Sequence, residues 1–236
     1  MLRHLFGEPE RQDSGLILKT NQVLGRYLND LHDIESKGQS DLSKLRRWEI
    51  WVHSFITAVD ELEQGVYSSL KYSEQVLNRN VEDMKSEEQT EYRRYLYYYK
   101  NSFIRVFAIL DKLGFFLNER LHLNTEKVKP RFSYFTVIRQ MHDRHIQTDL
   151  EQKLYNLKVK YSEPLNKLRD YRNVEIHSIN YEAADDLLHS ATVGAFSWNH
   201  IENLPGNNQI LQKCFEMVCE TIIAIYNAPC FTDGRA

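Results

Sequence analysis

The chain is short of the residues that interrupt helices. Nine glycines and five prolines in 236 residues are too few to supply the closely spaced turns of a many-stranded β-fold. Strict alternation of apolar and polar residues, the mark of half-buried strands, is absent as well. Three cysteines, Cys214, Cys219 and Cys230, make neither a CxxC pair nor an even set for disulfides. Buried, inert thiols in a reducing compartment are expected. No stretch approaches the roughly 18 uninterrupted apolar residues of a membrane span. The opening segment, Met1 to Glu10, lacks the apolar run of a secretion signal. A net charge of −3 excludes a chain that binds polyanions over its whole surface. No phosphate loop, dinucleotide fingerprint or nucleophile elbow occurs. The expectation is a soluble cytoplasmic protein with no cofactor and no membrane partner. At this length roughly 70% of the unfolded surface can be buried, so no staple is required.

What is present is helical periodicity. Leu24, Tyr27, Leu28 and Leu31 share a face of a first helix over Thr20 to Ile34. Lys37 to Ser40 breaks it, and Asp41 or Ser43 can cap the next. Trp48, Trp51, Val52, Phe55, Val59, Leu62, Val66 and Leu70 mark a long amphipathic helix running toward Leu77, weakened at Gly65. Tyr92, Leu96, Tyr99, Phe103, Val106, Leu110, Leu113 and Leu117 alternate spacings of four and three, a heptad seam suited to antiparallel packing on the Trp48 helix. At that spacing the Tyr95 to Tyr99 cluster suits a core better than a stacking surface for nucleobases. Shorter helices follow, with Phe135, Ile138 and Met141 inward, then Leu150, Leu154 and Leu157. Ser162-Glu-Pro164 sets either a new helix start or a kink, after which Leu165, Leu168 and Arg172 continue the inward face. A last helix over Asn208 to Tyr226 buries Leu211, Cys214, Val218, Ile222 and Ile225. The predicted fold is an all-α antiparallel helical bundle. Residues 1–40 are an N-terminal extension with one helix and a frayed start, 41–229 the main domain, and 230–236 a tail.

Chemistry concentrates in Leu165 to Ser178, which holds Arg172, Asn173 and His177. His142 and His145 have the i, i+3 spacing that lets two imidazoles share a metal, but no third ligand is evident and Arg144 repels a cation, so no metal site is expected. Several other arginines precede a histidine at similar spacing: Arg26 with His32, Arg46 or Arg47 with His53, and Arg139 with His145. None of these is followed by asparagine. Steps of three, four and four from Leu165 through Leu168 and Arg172 to Ile176 aim Arg172 at the apolar face. There its guanidinium requires an anion, a carboxylate such as Glu175 or Asp170, or an interface. His177, five positions on, sits about 140° round an ideal helix from Arg172, so one rigid helix does not converge the two. Leu123 to Arg172 holds eleven Lys/Arg against six Asp/Glu, a local excess beside the motif.

Arg172-Asn-Val-Glu-Ile-His177, late in an all-helical chain, resembles the signature of the HEPN superfamily (higher eukaryotes and prokaryotes nucleotide-binding domains). An arginine, a polar neighbour and a histidine after four to six residues make up that signature. Phe103-Ile-Arg-Val-Phe107 and Asp111-Lys-Leu-Gly114 also look like a bacterial HEPN subfamily, and the likeness spans roughly Trp48 to Tyr226. The resemblance implies a HEPN-like homodimer whose two motifs line one cleft. It implies metal-independent RNA cleavage of defence or toxin type, with Arg172, Asn173 and His177 as catalytic residues and an antitoxin or regulatory partner. It equally admits a catalytically silent module that binds RNA or a nucleotide; a purely structural helical protein is the third alternative. Toxin-type members commonly carry a tyrosine two residues after the histidine. Ile179 stands there, and Tyr181 lies two residues further on.

Overall fold

The computed structural model describes residues 2–38, 41–177 and 201–232, and every regular element among them is helical. The helices are α1 (Gly15–Ser36), α2 (Leu42–Ser73), α3 (Ser86–Arg120), α4 (Thr125–Val128), α5 (Tyr134–Asp143), α6 (Thr148–Lys160), α7 (Ser162–His177) and α8 (Leu204–Tyr226). Single 3-10 turns occupy Leu2–Phe6 and Val81–Asp83, and a last helical turn covers Pro229–Thr232.

Helices α2 and α3 form an antiparallel pair. Arg47 Nε meets Glu119 Oε1 at 2.7 Å, Lys112 Nζ donates to Ser54 Oγ at 3.1 Å, and Tyr72 stacks on Tyr98 at 5.5 Å. The heptad seam of α3 is buried from Tyr99 to Leu117, with Tyr92 and Leu96 half-buried. Asp41 caps α2 by accepting from the Ser43 amide at 2.9 Å. The apolar stripe of α2 holds through Leu62, but Leu70 is exposed. Beyond Leu62 the inward face passes to Gly65, Ser68, Ser69 and Tyr72, because Asn208 of α8 occupies that end: Ser69 Oγ donates to its Oδ1 at 3.3 Å, and its Nδ2 donates to Ser73 Oγ at 2.7 Å.

Helix α8 lies at the centre. Leu211, Cys214, Met217, Val218, Cys219, Ile222 and Ile225 have no exposed surface; they cover more than half of the helix circumference, and Gln212, Lys213, Glu216 and Glu220 form its narrow polar edge. It packs against α1, α2, α3, α6 and α7. Tyr226 near its end meets Tyr27 of α1, Phe55 of α2 and Phe116 of α3 at centroid distances of 5.0, 6.4 and 5.5 Å.

Two sequence expectations need correction. The start of the chain is anchored rather than frayed: Arg3 and Arg11 both pair with Glu63 of α2, at 2.5 and 2.6 Å, and Phe6 packs on Tyr72. Burial alone would lift the Glu63 carboxyl, but hydrogen bonds from Arg3 and Arg11 hold it below the usual range. In α5 the deepest residues are Tyr134, Val137, Ile138 and Met141, whereas Phe135 is only half-buried.

Both long-helix crossings use a glycine, in different ways. A Cβ at Gly65 would stand 2.3 Å from Ser102 Oγ, the end of a side chain that bonds Tyr98 O at 2.7 Å and can turn away. A Cβ at Gly114 would stand 2.8 Å from Tyr134 Cα and 3.0 Å from its amide nitrogen, and backbone cannot turn away. Alanine at Gly65 gains about 0.5–1 kcal/mol of helix propensity, offsetting most of the hydrogen bond it removes. Gly114→Ala is therefore expected to cost about 1–3 kcal/mol, the range of overpacked cores, and Gly65→Ala clearly less. Urea unfolding of both variants checks this; equal losses, or the reverse order, would show that the α3–α5 crossing yields.

Candidate functional site

Helices α6 and α7 are almost one rod, broken at Tyr161. Pro164 has no amide hydrogen for the preceding turn, and the ladder resumes where Leu165 N donates to Tyr161 O at 3.1 Å. Leu165 and Leu168 then enter the core. One turn later the same face delivers Arg172 against α3, as its register predicts.

The Arg172 guanidinium carbon lies 4.7 Å from the centroid of Phe107, a buried ring on α3. Its Nη2 donates to Asn173 Oδ1 at 2.9 Å, while its Nε is buried without a hydrogen-bond partner. Among the described residues no carboxylate reaches salt-bridge distance of Arg172. Glu175, an expected partner, instead pairs with Lys100 Nζ of α3 at 3.2 Å. An arginine held on an aromatic face, with one hydrogen bond to the described residues, is suited to a planar or tetrahedral oxyanion.

Asp111 sits one turn beyond Phe107 on α3. Its Oδ1 accepts from the Tyr134 amide at 3.3 Å, so the same carboxylate that faces Arg172 also holds the first turn of α5. Burial lifts this carboxyl above the usual range, against the opposing pull of the Tyr134 amide and the charge of Arg172. A half-buried carboxyl of that kind beside a cation is a candidate for binding or proton transfer. Lys100 and Glu175 continue the polar seam toward the start of α8, where Asn207 Nδ2 donates to Glu202 Oε2 at 2.8 Å. Glu202 is exposed as a residue, yet its carboxyl is lifted by the protein around it, with Lys100 opposing and Glu175 adding to the lift. Beneath this seam Tyr95 and Tyr99 stack at 5.6 Å, fully buried. They are core, as their spacing suggests, and burial pushes both phenols up.

Of the three predicted catalytic residues, the structure joins Arg172 and Asn173. Helix α7 extends to His177, but that side chain lies outside the described residues, as do Ile179 and Tyr181. Phe107 and Asp111 were missed as neighbours of Arg172, although they stand four apart on α3. Their pairing with α7 leaves no local signal.

Three of the four competing arginines are held by protein acceptors. Arg26 donates to Tyr226 O and Asn227 Oδ1 at 3.2 and 2.7 Å; Arg46 and Arg47 pair with Glu49 and Glu119 at 2.9 and 2.7 Å. His142 Nδ1 faces Glu151 at 3.6 Å, and among the described residues no three His, Cys, Asp or Glu side chains gather into a metal site. Burial pushes the thiols of Cys214 and Cys219 up to about 12, which removes their nucleophilicity. Among the described residues no helix is long and apolar enough to cross a membrane.

A family model described as Cthe2314-like HEPN matches residues 51–228. That span covers more than half of the chain and includes α3 to α8 and the Arg172–His177 stretch. The chain belongs to the HEPN superfamily. No curated protein and no solved structure matches it significantly. HEPN domains are in general ribonuclease or nucleotide-binding modules. In this HEPN chain α1 precedes the matched span, yet it packs on α2 and α8 and shares their core.

The raised Asp111 carboxyl makes stability pH-dependent. A folded-state value above the unfolded one means that this group contributes most below the unfolded value and loses the contribution as pH rises through the folded value. Asp111→Asn keeps the oxygen that accepts from Tyr134 but cannot ionise. Its stability relative to wild type should therefore improve as pH rises from about 3, below the ordinary carboxyl range, to about 7 in urea titrations. A gap that stays constant, or moves the other way, would remove the assigned burial effect.

Proposed function

We propose that this HEPN protein is a metal-independent endoribonuclease of defence or toxin type, with a composite site of Arg172, Asn173 and His177 at a homodimer interface. The observation that carries the reading is the seat of Arg172: a guanidinium on the Phe107 ring, hydrogen-bonded to Asn173, with no carboxylate pair among the described residues. Of the competing arginines, Arg26, Arg46 and Arg47 are occupied by protein acceptors. Membership of the HEPN superfamily supports the same reading.

In the proposed reaction the 2′-hydroxyl of a ribose attacks the adjacent phosphorus. A P–O2′ bond forms and the P–O5′ bond breaks, leaving a cyclic phosphate and a 5′-hydroxyl. The proton lost by the 2′-oxygen is balanced by one delivered to the 5′-oxygen. His177 moves a proton at neutral pH, where imidazole titrates. Arg172 holds the non-bridging oxygens and stabilises the charge that grows on them. Asn173 fixes Arg172 through Oδ1 and leaves its amide hydrogens for the phosphate. Because Arg172 and His177 diverge around one helix, the second protomer completes the cleft. An antitoxin or regulatory partner acts by covering that cleft.

RNA cleavage in EDTA by the wild type, Arg172→Ala and His177→Ala tests the assignment, with circular dichroism and thermal melts confirming the fold. Each variant should lose about 10²–10⁴ in rate, and the wild-type product should carry a cyclic phosphate. Arg172→Lys, which keeps the charge and loses the fork, should retain only part of the activity. Undiminished cleavage by both alanine variants removes the site. Binding of RNA without turnover by the wild type identifies a silent binding module instead.

A further inference from the structure

We propose that Lys158 and Arg169, gathered on Phe135, together with Tyr155 beside Lys158, form the track that leads single-stranded RNA to Arg172; this rests on the ribonuclease reading above and names where its substrate lies. Lys158 Nζ is 6.0 Å from the Phe135 centroid and Arg169 Cζ is 5.5 Å from it, so two cations converge on one ring. Lys158 also lies 5.5 Å from the ring of Tyr155. Among the described residues neither cation has a carboxylate within 4.0 Å, and Arg169 Nη1 donates only to the neutral Asn166 Oδ1 at 3.2 Å. An anion that reaches the edge of this ring is attracted by both charges.

The contrast with neighbouring lysines is sharp. Lys160, Lys167 and Lys213 pair with Glu220, Glu163 and Glu216 at 2.7, 2.9 and 2.8 Å. Among the described residues, Lys160 is thus paired across to α8 and Lys167 within α7, whereas Lys158 and Arg169, where α5, α6 and α7 meet, have no carboxylate partner. Arg169 and Arg172 are three residues apart on α7, neighbours on one face about 5–6 Å apart at Cβ, and each lies over a phenylalanine. Phosphates placed on the Phe135 pair are therefore one helical turn from the Arg172 seat. Tyr155 is 45% exposed and offers a face on which an unpaired base stacks. A duplex hides its bases from such a platform, which selects the single strand.

Binding is measured on the full chain with a fluorescein-labelled, mixed-sequence oligoribonucleotide carrying 2′-O-methyl groups, which cannot undergo 2′-attack. Fluorescence anisotropy across a salt series gives affinity and its slope. On a single strand, removing one cation that neutralises a phosphate lowers that slope by about 0.7. Lys158→Gln with Arg169→Gln should flatten it by about 1.4 and weaken binding about 25-fold at 0.1 M salt. Tyr155→Ala should weaken binding about fivefold or more. Lys160→Gln with Lys213→Gln, which removes the same charge from the ion-paired side, should stay within about twofold of wild type. Unchanged affinity and slope in the Lys158/Arg169 double variant overturn the track, as does an equal loss in the Lys160/Lys213 variant. Equal competition by duplex RNA or by polyglutamate overturns the single-stranded RNA assignment. Binding through Lys158 and Arg169 without cleavage of unmodified RNA would sink the ribonuclease reading alone. Cleavage with the track variants fully active and tightly binding would sink this inference alone.

Discussion

Every other helix of consequence is arranged by the need to surround α8. A helix apolar over more than half of its circumference leaves only a narrow polar edge for solvent, so the surrounding segments must cover the rest, and α1, α2, α3, α6 and α7 do so. Its seven fully buried apolar residues from Leu211 to Ile225 each contribute about 1–3 kcal/mol of apolar transfer, more than a typical surface ion pair. The position of α7 follows from this. Leu165 and Leu168 face the core, and the register they set places the next inward residue, Arg172, where α7 meets α3. The site is thus a by-product of core packing at its base and a departure from it at its tip, where a charged group takes an apolar position.

That departure was legible because it breaks a local rule. The heptad of α3, the stripe of α2 as far as Leu62, the cap at Asp41 and the inward turn of Arg172 all follow from short-range periodicity. Asn173 marked the one arginine of the set whose neighbour could hold it. What escaped is the information carried between distant segments. Glu63 collects Arg3 and Arg11 across more than fifty residues, so a polar start that looks unstructured in isolation is anchored. Lys100 with Glu175 and Arg172 with Phe107 pair α3 with α7, and no window along the chain contains both members. Gly65 reads as a weak point in a helix, yet at that position the small residue lets α3 approach.

Charge is divided by function rather than by segment. The cations around α2 are answered by carboxylates on the same or the facing helix, as Arg47 is by Glu119 and Arg105 by Glu61. Around α5 to α7 the answer is partial, and aromatic rings take the place of acids under Lys158, Arg169 and Arg172. An aromatic face steadies a cation without neutralising it, so the charge remains available to a ligand. Superfamily membership and this distribution of charge are independent observations, and the proposed phosphate-bearing partner is compatible with both.

The approach of Gly114 to Tyr134 has a consequence for how this fold can vary. Where two side chains meet, a change on one side can be answered by a change on the other, and a lineage can drift through many compatible pairs. Where a glycine meets backbone, no answering substitution exists, because nothing across the contact can be made smaller. The crossing of α3 and α5 is therefore a fixed point in sequence space, and Asp111, whose carboxylate is bonded to the same Tyr134 residue, keeps its distance from Arg172 while the surrounding core is free to diverge.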